Sequence, residues 1–294
     1  MLSSKIKRRV RVFMGKHCPK LLVAVLYRQA FGKWINWKNP QDLNEKIHWL
    51  KFYSDTTLWT LLADKYRVRK YVKEKGCPEI LVKLYGAWDK PTLIDWESLP
   101  NEFVMKSNGG CGDVLICKDK STIDKNQWIK HFEKVIKMKC GYERGEPHYN
   151  TIKPVIIAEE LLDSNKQSVS SSSLIDYKIW CFNGEPYSIL VCSNRTHNTL
   201  ELSDYDLDWN YHPEHSKYGR HYVKASQVLP RPLSLNKMLD YARKLSKGLP
   251  QVRVDFYEID GKPYFGEMTM TSAGGFMDYY TDEYLKEMGK LIKL

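Results

Sequence analysis

One stretch decides the fold: Arg253-Val-Asp-Phe-Tyr-Glu-Ile-Asp-Gly-Lys-Pro-Tyr-Phe-Gly-Glu-Met-Thr269. Two runs of alternating polar and apolar residues flank Asp260-Gly261, and this pattern predicts a β-hairpin. Successive side chains of a strand point to opposite faces, so Val254 and Phe256 share one face of the first arm and Asp255 lies on the other. The stretch therefore predicts a two-stranded unit with one apolar face.

The length of the hairpin loop sets which residues of the two arms share a face. A two-residue loop at Asp260-Gly261 would place Asp255 and Glu267 on opposite faces, whereas a three-residue loop with a left-handed Gly261 and a bulge would place them together. The three-residue loop gives one apolar face and one polar face. The apolar face would hold Val254, Phe256, Tyr264, Gly266 and Met268, and the polar face would hold Arg253, Asp255, Glu267 and Thr269.

The polar face suggests a metal site. Two carboxylates held close together repel each other unless a cation lies between them, and Mg²⁺ is a hard cation that prefers oxygen ligands. Asp255 and Glu267 are the candidate carboxylates, and the hydroxyl of Thr269 is a third candidate ligand. The alternative is a surface hairpin with ordinary solvated charges.

A second signal is the sequence Phe103-Val-Met-Lys-Ser-Asn-Gly-Gly-Cys-Gly-Asp-Val114. An apolar strand leads through Lys106 and Ser107 into a loop that contains Gly109, Gly110 and Gly112. Such a loop presents successive backbone N–H groups to phosphate oxygens, and the lysine adds a positive charge. The spacing matches neither a Walker A motif nor a dinucleotide-binding Gly-x-Gly-x-x-Gly motif. A plain hairpin turn is the alternative.

Three further segments carry regular patterns. Residues 61–72 predict an amphipathic helix that contains Asp64 and Lys65, and residues 154–162 predict a buried strand that ends in Glu159 and Glu160. The third segment, 176–191, predicts a hairpin that turns at Asn183-Gly184, with Asp176 and Lys178 on one face.

Taken in order, these segments resemble the ATP-grasp superfamily and, within it, the TupA-like branch associated with teichuronopeptide biosynthesis. The resemblance runs from about Asn44 to the C-terminus. It is carried by five motifs: the Asp-Lys helix, the strand-Lys-glycine loop, the strand ending Glu-Glu-Leu-Leu, the Asp-Tyr-Lys strand, and Arg-x-Asp followed by Gly-Glu. Each motif is common, but their order is specific.

The resemblance implies a role for each candidate residue. ATP would be bound through Lys65, Lys106, Ser107, Asp176 and the loop Gly109, Gly110 and Gly112, with the hinge Glu159, Glu160, Leu161 and Leu162 holding adenine. Lys178 would approach the terminal phosphate, and Asp255 and Glu267 would bind Mg²⁺. Arg253 and Arg195 are candidates for holding the substrate carboxylate or the acyl phosphate. One departure is Thr269, because many ATP-grasp ligases have an asparagine ligand at this position.

Composition is consistent with a cytosolic enzyme. The chain has 294 residues, of which 43% are hydrophobic, so it can bury a large core. Seven cysteines without a Cys-x-x-Cys motif, and no signal peptide, indicate reduced thiols in the cytoplasm.

The net charge of +11 is concentrated in the N-terminal 40 residues, which contain ten Lys/Arg and no acid. The rest of the chain holds 36 bases against 35 acids. No nucleic-acid-binding module is evident. A basic segment beside the short apolar run 21–27 fits peripheral contact with an anionic membrane or an ordinary solvated basic helix, and the alternative is that residues 21–35 pack on the folded body.

We therefore expect an α+β ATP-grasp fold with the nucleotide between two α+β lobes and a helical, basic N-terminal extension. The expected divisions are the extension (1–40), a helical or α+β region (41–102), a small lobe with glycine loop and hinge (103–165), and a large lobe with the metal-binding hairpin (166–294). The expected activity is ATP-dependent carboxylate–amine ligation through an acyl phosphate.

The expected carboxylate is a uronic-acid sugar or acidic polymer of cell-surface or capsule polysaccharide biosynthesis, free or lipid-linked, and the partner is an amine. Two alternatives stay open. One is a capsule glycosyltransferase, for which Asp204-Tyr-Asp-Leu-Asp208 would be the metal motif. The other is an ATP-dependent phosphotransferase that acts on a hydroxyl.

Overall fold

The structure is a computed structural model that describes residues 4–110 and 113–294. Helices and strands alternate irregularly along the chain. The helices are α1 (Ser4–His17), α2 (Pro19–Phe31), α3 (Leu43–Tyr53), α4 (Thr57–Ala63), α5 (Val68–Glu74), α6 (Lys125–Val135), α7 (Gly141–Arg144), α8 (Pro147–Asn150), α9 (Leu235–Ser246) and α10 (Asp282–Lys290). The strands are β1 (Leu84–Trp88), β2 (Phe103–Ser107), β3 (Leu115–Cys117), β4 (Ile156–Glu159), β5 (Asp176–Phe182), β6 (Glu185–Ser193), β7 (Leu200–Tyr205), β8 (Tyr222–Lys224), β9 (Gln251–Ile259) and β10 (Lys262–Thr269).

The strands form two sheets. The first is antiparallel, has the order β1-β4-β2-β3, and draws its edge strand β1 from the region before residue 103. The second has the order β10-β9-β5-β6-β7-β8 and is antiparallel except for the β7–β8 pair. The segment 194–222, which lacks regular signals in the sequence, thus contributes strands to the second sheet. The architecture is α+β with two sheets, as expected.

Each sheet has its own apolar core. On the four-stranded sheet, Phe132 of α6 packs with Phe103 and Ile156. The six-stranded sheet is covered by α9, α3 and α10, whose buried side chains include Met238, Ile47 and Met288. In the second sheet, buried apolar side chains of β5 and β9 alternate with buried charged ones such as Lys178 and Asp255, so the charged groups share the other face. The molecule therefore has two lobes, each with one sheet.

Both predicted hairpins are present, and both turn in two residues. Asn183-Gly184 and Asp260-Gly261 have positive φ at both positions, as the tight turns between twisted strands require. The three-residue loop that would bring Asp255 and Glu267 together is therefore wrong. A bulge at Gly266 instead shifts the register between Phe265 and Glu267, so that Asp255 and Glu267 become direct cross-strand neighbours.

The bulge also changes the apolar face of this hairpin. Phe265 lies opposite Phe256 and both are buried, together with Val254 and Met268. Tyr264, which the three-residue loop assigns to the core, lies opposite Tyr257 and is partly exposed, as is Gly266. The assignment of Tyr264 and Gly266 to the core is therefore wrong. The bulge adds one residue to β10, so the residues between the turn and the bulge point to the faces opposite to those that the three-residue loop predicts.

The predicted helix over 61–72 is broken at Asp64. The helix α4 ends at Ala63, and the buried carboxylate of Asp64 accepts hydrogen bonds from the backbone N–H groups of Tyr66 and Arg67, which directly precede α5. Aspartate favours such capping positions because its short side chain reaches the backbone two or three residues on. The break places Lys65 in a turn rather than on a helix face.

The N-terminal 40 residues pack on the body through α2 and the segment that follows it. Leu22, Val23, Tyr27 and Ile35 are buried, and the Tyr27 hydroxyl donates to Asp42 at the N-terminus of α3. Of the two alternatives for this region, packing therefore holds for residues 19–40. Within the described part of the chain, no helix is long and apolar enough to cross a membrane.

Candidate active site

A cleft of about 730 Å³ is lined by residues of both lobes. Its apolar wall includes Val82, Val104, Ile116, Leu174 and Phe265. Its lining contains many of the residues predicted from the sequence: the polar Lys65, Lys106, Glu159, Glu160, Asp176 and Arg195 and the apolar Leu161 and Leu162. An apolar wall beside charged groups is the usual composition of a small-molecule site.

Three strands of the second sheet place charged residues in one row. Lys178 on β5 lies opposite Asp255 on β9, and Asp255 lies opposite Glu267 on β10. The Lys178 ammonium donates to Asp255 at 2.6 Å and lies 3.3 Å from Asp176. Although burial disfavours the charged ammonium, these two carboxylates hold the pKa of Lys178 above its ordinary value.

The guanidinium of Arg253 joins the carboxylates of this row. It donates twice to Asp255, at 2.7 Å each, and once to Glu267 at 3.3 Å. It also donates to the hydroxyl of Thr269 at 3.2 Å and to that of Ser272 at 2.5 Å. The polar face of the hairpin thus holds Arg253, Asp255, Glu267 and Thr269 together, as the sequence predicts, through the Gly266 bulge.

Glu267 is the more accessible of the two carboxylates. Its side chain is 38% exposed, against 2% for Asp255. Desolvation favours its neutral form, but the charges of Lys65, Arg253 and Lys178 outweigh that effect and lower its pKa to about 2. Glu267 is therefore ionised at any pH near neutrality, and its neighbour Gly266 lines the cleft.

The donor set fits a hard divalent cation. Asp255 and Glu267 supply anionic oxygens and Thr269 supplies a neutral one, and the Thr269 hydroxyl lies 3.1 Å from Glu267. The three groups already surround one cationic group, the Arg253 guanidinium. Their chemistry and mutual positions thus suit the metal role predicted for them.

Lys65 connects the glycine loop to the hairpin. Its ammonium lies 3.2 Å from the carbonyl oxygen of Gly110 and 3.6 Å from Glu267. Its backbone N–H donates to the carbonyl of Asn108, so the turn after α4 and the start of the loop are held together. The break at Asp64 is what brings Lys65 to this position.

The described part of the glycine loop is shaped by its neighbours. The Ser107 N–H donates to Asp113 at 2.8 Å, and a side chain at Gly110 would meet Asp113 and Ser107 at 2.4 Å. Gly109 has less severe contacts, since a Cβ there would lie 3.1 Å from Ile152. Gly112, also predicted to bind phosphate, lies outside the described residues.

Lys106 and the hinge meet at Glu159. The carboxylate of Glu159 accepts from Lys106 at 2.6 Å and from Arg69 at 2.9 Å. The next residue, Glu160, donates its backbone N–H to the carbonyl of Lys83. The Glu159 side chain therefore positions two cations at the cleft, a contribution beyond the backbone contacts expected of the hinge.

Arg195 lies at the far side of the row. Its guanidinium donates to Asp176 at 3.1 Å, and about half of its side chain is exposed. Asp176 thereby joins Lys178 and Arg195. Arg195 is within reach of a molecule in the cleft, whereas Arg253 is held among the carboxylates.

Two residues of the site were missed from the sequence. Arg69, which pairs with Glu159, occupies a position that reads as the solvated face of a helix. Asn108 is fully buried and bridges the loop to the segment before β4: its side chain accepts from the Val155 N–H and donates to the Lys153 carbonyl. The sequence feature that could have identified Asn108 is its position directly before Gly109-Gly110.

The Asp-x-Asp sequence of the glycosyltransferase alternative does not form a carboxylate pair facing the cleft. Asp204 is fully buried and accepts from Ser216, and burial raises its pKa to about 7. Asp206 instead accepts from Asn210 in a local turn. A nucleotide-sugar metal site needs accessible, ionised carboxylates, so this motif does not favour that alternative.

Comparison with solved structures finds ATP-grasp enzymes. A D-alanine–D-alanine ligase from Bacillus anthracis is 18% identical, with 72% of this chain and 59% of that chain covered and a TM-score of 0.40. The Helicobacter pylori D-alanine–D-alanine ligase is 16% identical, with coverages of 86% and 67% and a TM-score of 0.45. Phosphoribosylamine–glycine ligase from Thermotoga maritima is 14% identical, with coverages of 71% and 48% and a TM-score of 0.42.

The chain thus spans about half to two thirds of the length of these solved structures. No curated protein matches the sequence. A family profile described as TupA-like ATPgrasp matches residues 45–293, which is most of the chain and includes every predicted site residue. This match confirms the resemblance and the fold class, and the chain belongs to the TupA-like ATP-grasp family.

Proposed function

We propose that this ATP-grasp protein is an ATP-dependent carboxylate–amine ligase that acts through an acyl phosphate. One observation carries the proposal: Lys178, Asp255 and Glu267 lie side by side across three strands beside the cleft, with Arg253 among them. Phosphoryl transfer needs concentrated positive charge and metal-binding oxygens, and little covalent chemistry from the protein.

The cleft offers separate surfaces for the two ends of ATP. The base would lie against the apolar wall near Leu161 and Leu162 of the hinge. The phosphates would lie near the charged groups, where Lys65 contacts the carbonyl of Gly110 and Lys106 pairs with Glu159. Lysine is a compact positive charge that suits phosphate oxygens.

Asp255, Glu267 and Thr269 would hold Mg²⁺, which when bound supplies charge neutralisation on the phosphates. The residues of the chain do the remaining work. Lys178 would approach the terminal phosphate, and Arg195 would orient the substrate carboxylate, since a guanidinium matches carboxylate geometry in two hydrogen bonds. Arg253, predicted for the same role, already donates twice to Asp255 and would instead hold the metal-binding carboxylates in place. The carboxylate oxygen attacks the terminal phosphorus, ADP leaves, and an amine then displaces phosphate to give the amide.

For the substrate, we infer a uronic-acid sugar or acidic polymer of cell-surface polysaccharide biosynthesis, free or lipid-linked, with an amino acid or amino sugar as the amine. The resemblance to the branch associated with teichuronopeptide biosynthesis supports this choice. The exposed Arg195 beside Asp176 supports an acidic substrate at the mouth of the cleft.

The reaction type is tested by product analysis. ADP release is measured with uronic-acid sugars, amino acids and nucleotide sugars, singly and in pairs, and hydroxylamine is added to trap an acyl phosphate as a hydroxamate. A ligase should release ADP with a carboxylate substrate and form the hydroxamate. ADP release with a phosphorylated hydroxyl product and no hydroxamate would instead establish a phosphotransferase.

Nucleotide binding is expected to raise the melting temperature, and Lys106→Ala is expected to remove most of that increase. A ligand at one hundred times its Kd stabilises the folded state by about 2.7 kcal/mol. The unliganded variant should melt close to wild type, because Glu159 keeps its hydrogen bond with Arg69. Differential scanning fluorimetry with and without MgATP measures both quantities.

The matched control for this test is Lys70→Ala, a lysine of α5 whose side chain is mostly exposed. It should retain the full shift with MgATP. A Lys106→Ala variant that also retains the full shift would contradict the phosphate role of Lys106.

A further inference from the structure

The helix α1 docks on the body along one face. A Cβ at Gly15 would lie 1.8 Å from the carbonyl oxygen of Tyr142, so only glycine permits the helices α1 and α7 to approach this closely. About two helical turns before Gly15, on the same face of α1, Arg8 forms a 2.7 Å salt bridge with Glu143. These contacts fix which face of α1 points away from the protein.

The outward face carries large apolar side chains. Phe13 is 64% exposed, Val10 is 47% exposed and Ile6 is 44% exposed. Their spacing of four and then three residues places them in one stripe of the helix. Residues two positions away along a helix lie on nearly opposite sides, so Val10 and Phe13 lie across the helix from Arg8 and Gly15.

Basic side chains border the stripe on both sides. By helical geometry, Lys7 flanks one edge, and Lys5, Arg9 and Lys16 flank the other. All four are exposed. The first 40 residues contain no acid that would neutralise them. We define the outer face of α1 as this stripe (Ile6, Val10, Phe13) with its four flanking bases.

We propose that the outer face of α1 docks flat on an anionic lipid bilayer. An apolar stripe between two basic edges is the pattern of helices that lie in the membrane interface, with the apolar side chains among the acyl chains and the bases at the headgroups. The charge of the outer face favours an anionic bilayer over a second copy of the chain as the surface that it contacts. A second copy would set four cations against four cations, whereas an anionic bilayer neutralises them.

The inference is independent of the proposed activity. It places the protein at a membrane surface through α1 alone, since α2 packs on the body with Leu22, Val23 and Tyr27 buried. Deleting residues 1–40 would therefore change both membrane binding and the stability of the fold, so the two effects could not be told apart. Substitutions on the outer face separate the two.

The test is sedimentation of the full-length protein with vesicles of phosphatidylcholine, with and without phosphatidylglycerol. The wild-type protein should bind only the anionic vesicles. Phe13→Ser should weaken binding about tenfold, because it removes most of the apolar surface at the C-terminal end of the stripe. Lys7→Gln and Arg9→Gln should each weaken binding about fivefold.

Two controls match these changes. Leu93→Ser removes an apolar side chain that is 57% exposed elsewhere, and Lys237→Gln removes an exposed base of α9. Both should bind vesicles as the wild type does. All variants should melt within a few degrees of wild type, since the outer face is exposed.

Three results would overturn the proposal. The first is vesicle binding that Phe13→Ser does not weaken, or that is as strong with neutral vesicles as with anionic ones. The second is binding to a soluble polyanion such as heparin with none to vesicles, which would identify a polyanion partner. The third is a dimer in light scattering that Phe13→Ser dissociates, which would make the outer face a self-association surface.

Discussion

Replacing Glu267 with glutamine is expected to reduce turnover about 10²- to 10³-fold while ATP affinity changes little. The change removes one negative charge and keeps the shape of the side chain. Metal-ligating carboxylates act mainly on charge that develops during phosphoryl transfer, and the loss of a few kcal/mol of transition-state stabilisation gives this range. Steady-state kinetics of ADP release, together with the MgATP-dependent melting shift, separates kcat from nucleotide affinity.

Glu267 is the cleaner position for this test because its side chain is partly exposed and ends the row of charges. The variant should therefore fold normally. Excess Mn²⁺, which binds oxygen sites more tightly than Mg²⁺, should restore part of the turnover. Glu283→Gln, an exposed change in α10, is the control. Full turnover in the Glu267→Gln enzyme would exclude Glu267 as a metal ligand.

Asp255→Asn is expected to lower the free energy of unfolding by about 3–5 kcal/mol in addition to any effect on turnover. The Asp255 carboxylate is buried and accepts hydrogen bonds from Lys178 and twice from Arg253. Removing one partner of a buried charge network leaves the remaining charges without compensation, which costs this amount. Urea denaturation monitored by tryptophan fluorescence measures the change.

The matched control is Asp240→Asn, which removes a carboxylate 3.1 Å from Arg243 on the surface of α9. An exposed pair contributes less than about 1 kcal/mol, so this variant should be nearly as stable as wild type. The double variant Asp255→Asn with Lys178→Met should recover part of the lost stability, because one uncompensated ammonium is then absent. A loss below 1 kcal/mol in the single variant would show that the row of charges does not depend on Asp255.

Much of the site could be predicted because it depends on local patterns. The positions of the turns at Asn183-Gly184 and Asp260-Gly261 follow from residues that tolerate positive φ, although the three-residue loop expected at Asp260-Gly261 was wrong. Strand alternation places Asp176 beside Lys178, and Arg253 beside Asp255, whatever the rest of the fold does. The order of the motifs then identified the family, and the match over residues 45–293 confirmed it.

Other features depend on contacts between segments far apart in the chain. Asp255 and Glu267 share a face only because the bulge at Gly266 changes the register of β9 and β10. An isolated glycine in a strand pattern suggests a bulge, but it does not predict how the bulge changes the strand pairing. Likewise, Arg69 reaches Glu159 only after α5 packs beside the hinge. These are outcomes of packing rather than of local preference.

The N-terminal segment shows the same division. Composition alone determined that its charge is positive and that its apolar run is too short to span a bilayer. Only the tertiary structure decided which apolar residues are buried: Leu22 and Tyr27 of α2 pack on the body, whereas Val10 and Phe13 of α1 remain exposed. The physical reason is that sequence periodicity states which residues share a face, while burial of that face requires a complementary surface elsewhere in the fold.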